Sequence, residues 1–196
     1  LTVRNADNTG EEQVLTKLGP GFRYYPQWSP DSKKILWIDQ AMKMWIYDFD
    51  TQANRFMDQQ MWMYHGALVG FKVSWSADSR WIAYAKPEEQ GPQRIYLYSL
   101  DSKQTIPATD EWFNSAEPVF SADGKLLFFV SARSFSPTYG QTEFQHVYTD
   151  MSRIYFVALA KDTKNPFAPK SDEVKVKEDP KPAADAPAPA VGQKAP

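Results

Sequence analysis

Three near-copies of one six-residue motif stand at almost even spacing along this chain, and that period limits the folds open to it. Trp28-Ser29-Pro30-Asp31-Ser32-Lys33 returns as Trp75-Ser76-Ala77-Asp78-Ser79-Arg80 and again as Phe120-Ser121-Ala122-Asp123-Gly124-Lys125. The aspartates lie 47 and then 45 residues apart (31 to 78, 78 to 123). A repeat of roughly 40–50 residues is the length of one four-stranded propeller blade. Each copy runs into a short apolar stretch: Ile35-Leu36-Trp37-Ile38, Trp81-Ile82-Ala83-Tyr84, and Leu126-Leu127-Phe128-Phe129-Val130. A further strand follows in each, Met44-Trp45-Ile46-Tyr47, Ile95-Tyr96-Leu97-Tyr98 and Ile154-Tyr155-Phe156-Val157. Short runs of β-branched and aromatic residues bounded by turn chemistry are strands. Aromatics supply 15% of the chain, which suits pleated surfaces. Residues 20–130 hold no stretch that suits a helix of ten or more residues. The expected fold is all-β, built of β-propeller blades that are four-stranded antiparallel meanders.

The motif has a local physical task. A short carboxylate at Asp31, Asp78 or Asp123 can accept hydrogen bonds from backbone N–H groups two residues on and so close a tight turn. Gly124 removes the steric cost of a positive φ in the third copy. The Trp or Phe before each serine is expected on the innermost strand, filling the space between adjacent blades.

The repeat divides residues 1–160 into about three and a half blades: a partial one over 1–19, then 20–65, 66–115 and 116–160. Propellers close with roughly four to eight blades, so a fragment of a larger ring is expected. The opening residues, Leu1-Thr2-Val3-Arg4, carry neither an initiator methionine nor a signal-like leader and start as though within a strand. Two strands, Leu1 to Asn5 and Gln13 to Leu18, are read there as the outer pair of a blade. Residues 161–196 change character: Phe167 is the last aromatic, lysines alternate with acids, and Ala-Pro repeats end the chain. Such a segment buries too little apolar surface to offset its ordering entropy, so a disordered linker or tail is expected.

The motif and its following strand resemble the repeat of TolB-type and Tricorn-type propellers. Met151-Ser152-Arg153-Ile154-Tyr155-Phe156-Val157-Ala158-Leu159 with Asn165-Pro166-Phe167-Ala168-Pro169-Lys170-Ser171-Asp172-Glu173 is similar to the end of the first propeller in bacterial Tricorn-like proteases. The resemblance covers residues 1–179 or so. It implies a parent serine peptidase whose linker leads on to a second propeller, a PDZ domain and catalytic domains. It also implies possible homo-oligomerisation through that parent, and a periplasmic in preference to a cytoplasmic location.

In a meander the first and third turns of each blade share one face. The other connections share the opposite face, and these are expected to be long: Asp58 to Gly70, Lys86 to Gln93, Ala108 to Ala116, and Ser131 to Ser152. Met61-Trp62-Met63-Tyr64-His65 joins flexible thioethers to rings, a mixture that adapts to varied apolar partners. Trp112, Phe113, Phe135 and Tyr139 add aromatic surface. Trp62, Tyr64, His65, Trp112, Phe113, Phe135 and Tyr139 are therefore the candidate binding residues, for peptides or for other domains of the parent. The competing expectation is that these rings only pack the loops onto the blades.

Other chemistry finds little material. With no cysteine there is no disulfide, thiol nucleophile or zinc–thiolate site. The two histidines, His65 and His146, lack metal-ligand spacing, and no Gly-x-Ser-x-Gly elbow or phosphate-cradling glycine loop occurs. Glu88-Glu89 and Asp110-Glu111 fall on loops. A net charge of −2 gives no footprint for nucleic acid, and no apolar run reaches membrane-spanning length. No catalytic residue, metal or cofactor is therefore assigned. Two functions stay open: a non-catalytic propeller segment of a Tricorn-like serine peptidase that channels or binds peptides and docks other domains, or a TolB-like interaction scaffold with no protease activity.

Overall fold

The computed structural model describes residues 1–60, 71–135, 137–140, 145–170 and 172. Fifteen strands follow in order: β1 (Thr2–Val3), β2 (Gln13–Val14), β3 (Arg23–Trp28), β4 (Lys34–Asp39), β5 (Lys43–Asp48), β6 (Ala53–Gln59), β7 (Val73–Trp75), β8 (Trp81–Glu88), β9 (Gly91–Ser99), β10 (Thr105–Pro107), β11 (Ser115–Phe120), β12 (Leu126–Ser131), β13 (Pro137–Tyr139), β14 (His146–Tyr148) and β15 (Arg153–Ala158). No helix occurs among the described residues, and none is long and apolar enough to cross a membrane. The fold is all-β, as the repeat implied.

Two complete antiparallel meanders form, β3-β4-β5-β6 and β7-β8-β9-β10. A third sheet, β11-β12-β15, carries the β13-β14 hairpin inserted between its second and third strands. The β1-β2 hairpin is a separate ribbon, with Thr2 opposite Val14. Residues Leu1–Lys164 form one compact unit and Asn165–Pro196 another. In the second unit Asn165 folds a small turn, its side chain accepting from Phe167 N–H at 2.9 Å. The tail expected over 161–196 falls mostly outside the described residues.

Side-chain alternation explains how the sheets stack. Successive residues of a strand point to opposite faces, so β4 sends Leu36 and Ile38 one way and Ile35 and Trp37 the other. Leu36, Ile38, Met44, Ile46 and Met57 of the first sheet meet Ile82, Tyr84, Tyr98 and Leu100 of the second. Ala83, Ala85, Ile95 and Leu97, on the second sheet's other face, meet Leu127 and Phe129 of the third. Ile35, Trp37 and Tyr47 pack against Leu15 and the β1-β2 ribbon. The ribbon thus lies on the first sheet's outer flank. Three sheets flank to flank, each buried on both sides where it has a neighbour, is the stacking of consecutive blades.

Proline positions follow the same logic, because a proline cannot donate to the ladder and is tolerated at bulges. Pairing slips between Tyr24 and Gln27, between Ala116 and Val119, and between Lys86 and Glu88, skipping Pro26, Pro118 and Pro87. Two expectations change. Lys86 to Gln93 is no long loop: β8 and β9 extend to a two-residue turn at Glu89-Gln90, because the ladder continues past the Pro87 bulge to pair Glu88 with Gly91. Trp28 does not fill a gap between sheets. It is 48% exposed and stacks on Phe49 at 5.2 Å, because its flank meets only the short ribbon.

Candidate functional site

The repeated turns share one pattern of bonds. Ser29, Ser76 and Ser121 each donate a side-chain hydroxyl to the aspartate two residues on, at 2.5, 2.5 and 2.6 Å. The same carboxylate oxygens accept the backbone N–H of Lys33, Arg80 and Lys125 at 3.0–3.1 Å. Each serine oxygen also accepts the N–H five residues on, from Lys34, Trp81 or Leu126. The residue after the aspartate is left-handed in all three: Ser32 and Ser79 have φ of 58° and Gly124 has 68°. These bonds favour the ionised carboxylates. Asp78 and Asp123 are held below the ordinary carboxylate range, first by the Ser76 and Ser121 hydroxyls. At Asp31 partial burial opposes the shift, yet the Ser29 hydroxyl, the Lys33 N–H and the Lys34 ammonium still hold it low.

The described candidate binding residues, Trp112, Phe113, Phe135 and Tyr139, belong to the connections of the opposite face. Trp62, Tyr64 and His65 fall outside the described residues, as does the side chain of His146. Trp112, Phe135 and Tyr139 are 80%, 67% and 69% exposed. Phe113 is half-buried, with the Arg133 guanidinium 5.1 Å from its ring centre. Arg133 joins the connection before β11 to the one after β12: it pairs with Asp110 at 2.8 Å and also stacks on Tyr155 at 5.4 Å. Asp110 is pulled low despite its partial burial, by the Trp112 N–H and then by Arg133. Sequence reasoning passed over Arg133. Its only signal was a cation set among aromatic positions of the third copy.

A second polar cluster ties the first two sheets. Asp58 accepts the Tyr84 phenol at 2.6 Å and the Lys86 ammonium at 2.8 Å. Burial, then Asp58, raises the Tyr84 phenol. Burial and the hydrogen bond to Glu88 push Tyr96 up to about 12. The Asp58 carboxylate is answered by the Lys86 ammonium, so the cluster acts as a clamp between sheets. Glu88 accepts the Tyr96 phenol.

The inner strands show backbone strain. Tyr25 and Glu117 have φ of 49° and 52°, each just before a bulge proline. Non-glycine residues rarely take this conformation, and such strain gathers where the fold must aim a side chain. Both residues lie on the first strand of their sheet and are exposed. Among the described residues no group of three acids or histidines gathers as a cation site.

Residues 1–191 match the family model described as the Tricorn protease second β-propeller domain. The chain belongs to this family. Within the Tricorn family, the Tricorn protease homolog of Saccharolobus solfataricus is 30% identical over 145 residues, covering 74% of this chain and 13% of that protein. The Tricorn protease of Thermoplasma volcanium is 26% identical over 166 residues, covering 81% of this chain and 16% of that protein. The crystal structure of the tricorn protease superposes with a TM-score of 0.69 at 22% identity, over 86% of this chain and 17% of that one. Dipeptidyl peptidase 4 of Porphyromonas gingivalis shares the fold at a TM-score of 0.53 and 14% identity, over 75% of this chain and 25% of that one. This Tricorn propeller segment therefore spans about one sixth or less of the Tricorn relatives it matches. The family is the one the sequence resembled, but the propeller named is the second, where the resemblance had suggested the first. The blade motif encodes a turn and its neighbouring strands, and carries no signal of which ring it sits in.

Proposed function

We propose that this segment is a non-catalytic propeller portion of a Tricorn-like serine peptidase, binding peptides on the long-connection face and docking further parts of its parent. Support for peptide binding comes from the exposure of Trp112, Phe135 and Tyr139, the first two each two residues along the chain from the salt-bridged Asp110 and Arg133. Aromatic side chains that offer area on a rigid base are the usual anchors of peptide recognition. Support for docking comes from apolar exposure on the outer flank of the third sheet. Val119 and Ile154 are 56% and 77% exposed there, on the same face as Phe128 and Val130. A further blade of the parent is the fitting occupant, since the other flanks in the stack meet a neighbour through apolar side chains.

The test uses the parent protein and two fluorogenic substrates, a dipeptide and a decapeptide. Replacing Trp112, Phe135 and Tyr139 together by alanine is expected to lower kcat/KM for the decapeptide about tenfold, and to leave the dipeptide unchanged, because only the longer substrate can contact both a remote face and the reacting centre. Equal kcat/KM for the decapeptide in variant and parent would reject the binding role. Hydrolysis of either substrate by the isolated 196-residue chain would reject its non-catalytic status.

A further inference from the structure

The two gaps between blades are built on one plan, and two substitutions distinguish them. In the gap between the first and second sheets, the Asp31 N–H donates to the Ser79 hydroxyl at 3.0 Å. The second Asp31 carboxylate oxygen takes the Lys34 ammonium at 3.3 Å. The gap between the second and third sheets repeats these positions with other residues. Ser79 becomes Gly124, which has no hydroxyl, and Lys34 becomes Trp81, which has no charge. Among the described residues neither the Asp78 N–H nor the second Asp78 carboxylate oxygen then has a partner in another residue.

A cavity of about 310 Å³ opens where the clasp is missing. Trp81, Leu97, Ile106, Phe120 and Leu159 line its apolar part, and Asp78 and Asp123 stand among its polar lining. We propose that this cavity is a docking site for an apolar side chain of a peptide segment whose adjacent residue is lysine or arginine. The first gap shows what the second lacks, an ammonium in contact with the carboxylate and an acceptor for the N–H; Arg80 and Lys125 act on Asp78 and Asp123 only from beyond contact distance. An extended peptide supplies both, an ammonium or guanidinium from one residue and a backbone carbonyl from its neighbour, while the apolar side chain fills the hollow. Charge complementarity selects the flanking residue, because both rim aspartates are held ionised and Arg80 is already paired with Asp101 at 2.7 Å. The site lies on the short-turn face, away from Trp112 and Phe135, and does not rest on the peptide-channelling role.

The probe is the capped tetrapeptide acetyl-Gly-Leu-Lys-Gly-amide, titrated into the ¹⁵N-labelled 196-residue chain and followed by amide and indole NMR shifts. Saturable shifts are expected at Asp78, Gly124 and the Trp81 indole, with a Kd in the range of about 0.1–1 mM for so small a ligand. Exchanging lysine for glutamate, or leucine for alanine, is expected to raise Kd about tenfold or more. Gly124→Ser restores the missing hydroxyl at a backbone conformation that Ser32 and Ser79 already adopt, with nothing within 4 Å of the added Cβ. It is expected to weaken binding about tenfold or more, and Trp81→Lys, which copies Lys34, to do the same. No saturable shift with the wild-type chain overturns the proposal. So do shifts confined to another face, or equal Kd values for the leucine–lysine, leucine–glutamate and alanine–lysine peptides. The three peptides are compared on the unaltered chain, so the outcome stands even where a variant fails to fold.

Discussion

Each blade turn depends on one ionised aspartate, and this gives the protein a defined sensitivity to acid. Asp31, Asp78 and Asp123 accept a hydroxyl and a backbone N–H on a single oxygen, an arrangement that protonation weakens. Their folded carboxyls titrate below the ordinary value of about 3.9. As pH falls below about 4, the unfolded chain takes up protons first, so stability present in full above that pH is lost as the folded groups titrate. The midpoint of urea unfolding is expected to be clearly lower at pH 3 than at pH 6. Asp78→Asn is expected to lower the midpoint at pH 6 and to flatten its fall toward pH 3. A midpoint independent of pH over that range would mean the turn carboxylates contribute nothing. Everything these turns use lies within six residues of sequence, so the motif itself discloses them. Arg133 is the contrary case: its partners Asp110, Phe113 and Tyr155 come from separate segments before β11 and within β15.

Strands in this fold are stabilised from both flanks, and the cost of a substitution follows from which flank a residue faces. Leu36 is fully buried between the first two sheets, whereas Ile154 is 77% exposed on the third sheet's outer flank. Leu36→Ala is expected to cost about 2–5 kcal/mol through lost burial and the cavity left behind. Ile154→Asp in the isolated 196-residue chain is expected to change stability by no more than about 0.5 kcal/mol. Chemical denaturation of the two variants checks both. Alternation along β4, β8 and β12 is plain in sequence as a run of apolar residues on both faces, which already implies strands covered twice. The bulges could be anticipated from Pro26 and Pro118. The β8–β9 hairpin was not, because the ladder past Pro87 depends on Glu88 and Gly91 meeting in space.

At the scale of the molecule, each sheet borrows its hydrophobic core from the next. The β1-β2 ribbon covers Ile35, Trp37 and Tyr47 with Leu15 and Val3. Asn54 fixes it further by donating to the Leu15 carbonyl at 3.0 Å. Removing residues 1–18 is expected to lower unfolding free energy by about 2 kcal/mol or more, from exposing the apolar side chains that Leu15 and Val3 cover. A red-shifted Trp emission should accompany it, since Trp37 is fully buried against that ribbon. An unchanged denaturation midpoint would show that the ribbon is a passenger. In the parent protein, docking of a further blade on β12 and β15 predicts that Ile154→Asp becomes costly, by about 2 kcal/mol or more for a buried unpaired carboxylate. Thermal unfolding of the parent and its variant measures this.

The repeat alone was enough to establish antiparallel meander units and their order along the chain, because blade turns and strand alternation are local properties. That the third sheet has three strands and an inserted hairpin was not legible in it. Kinship with Tricorn propellers came from the repeat together with the more specific segments at 151–159 and 165–173. Tertiary structure decided the pairing of flanks, the place of the β1-β2 ribbon, and the difference between the two interblade gaps. Those depend on residues distant in sequence, such as Asp31 and Ser79, meeting across two sheets. A period tells a chain that its units stack; only the side chains brought together by stacking determine where the stack is closed and where it is open.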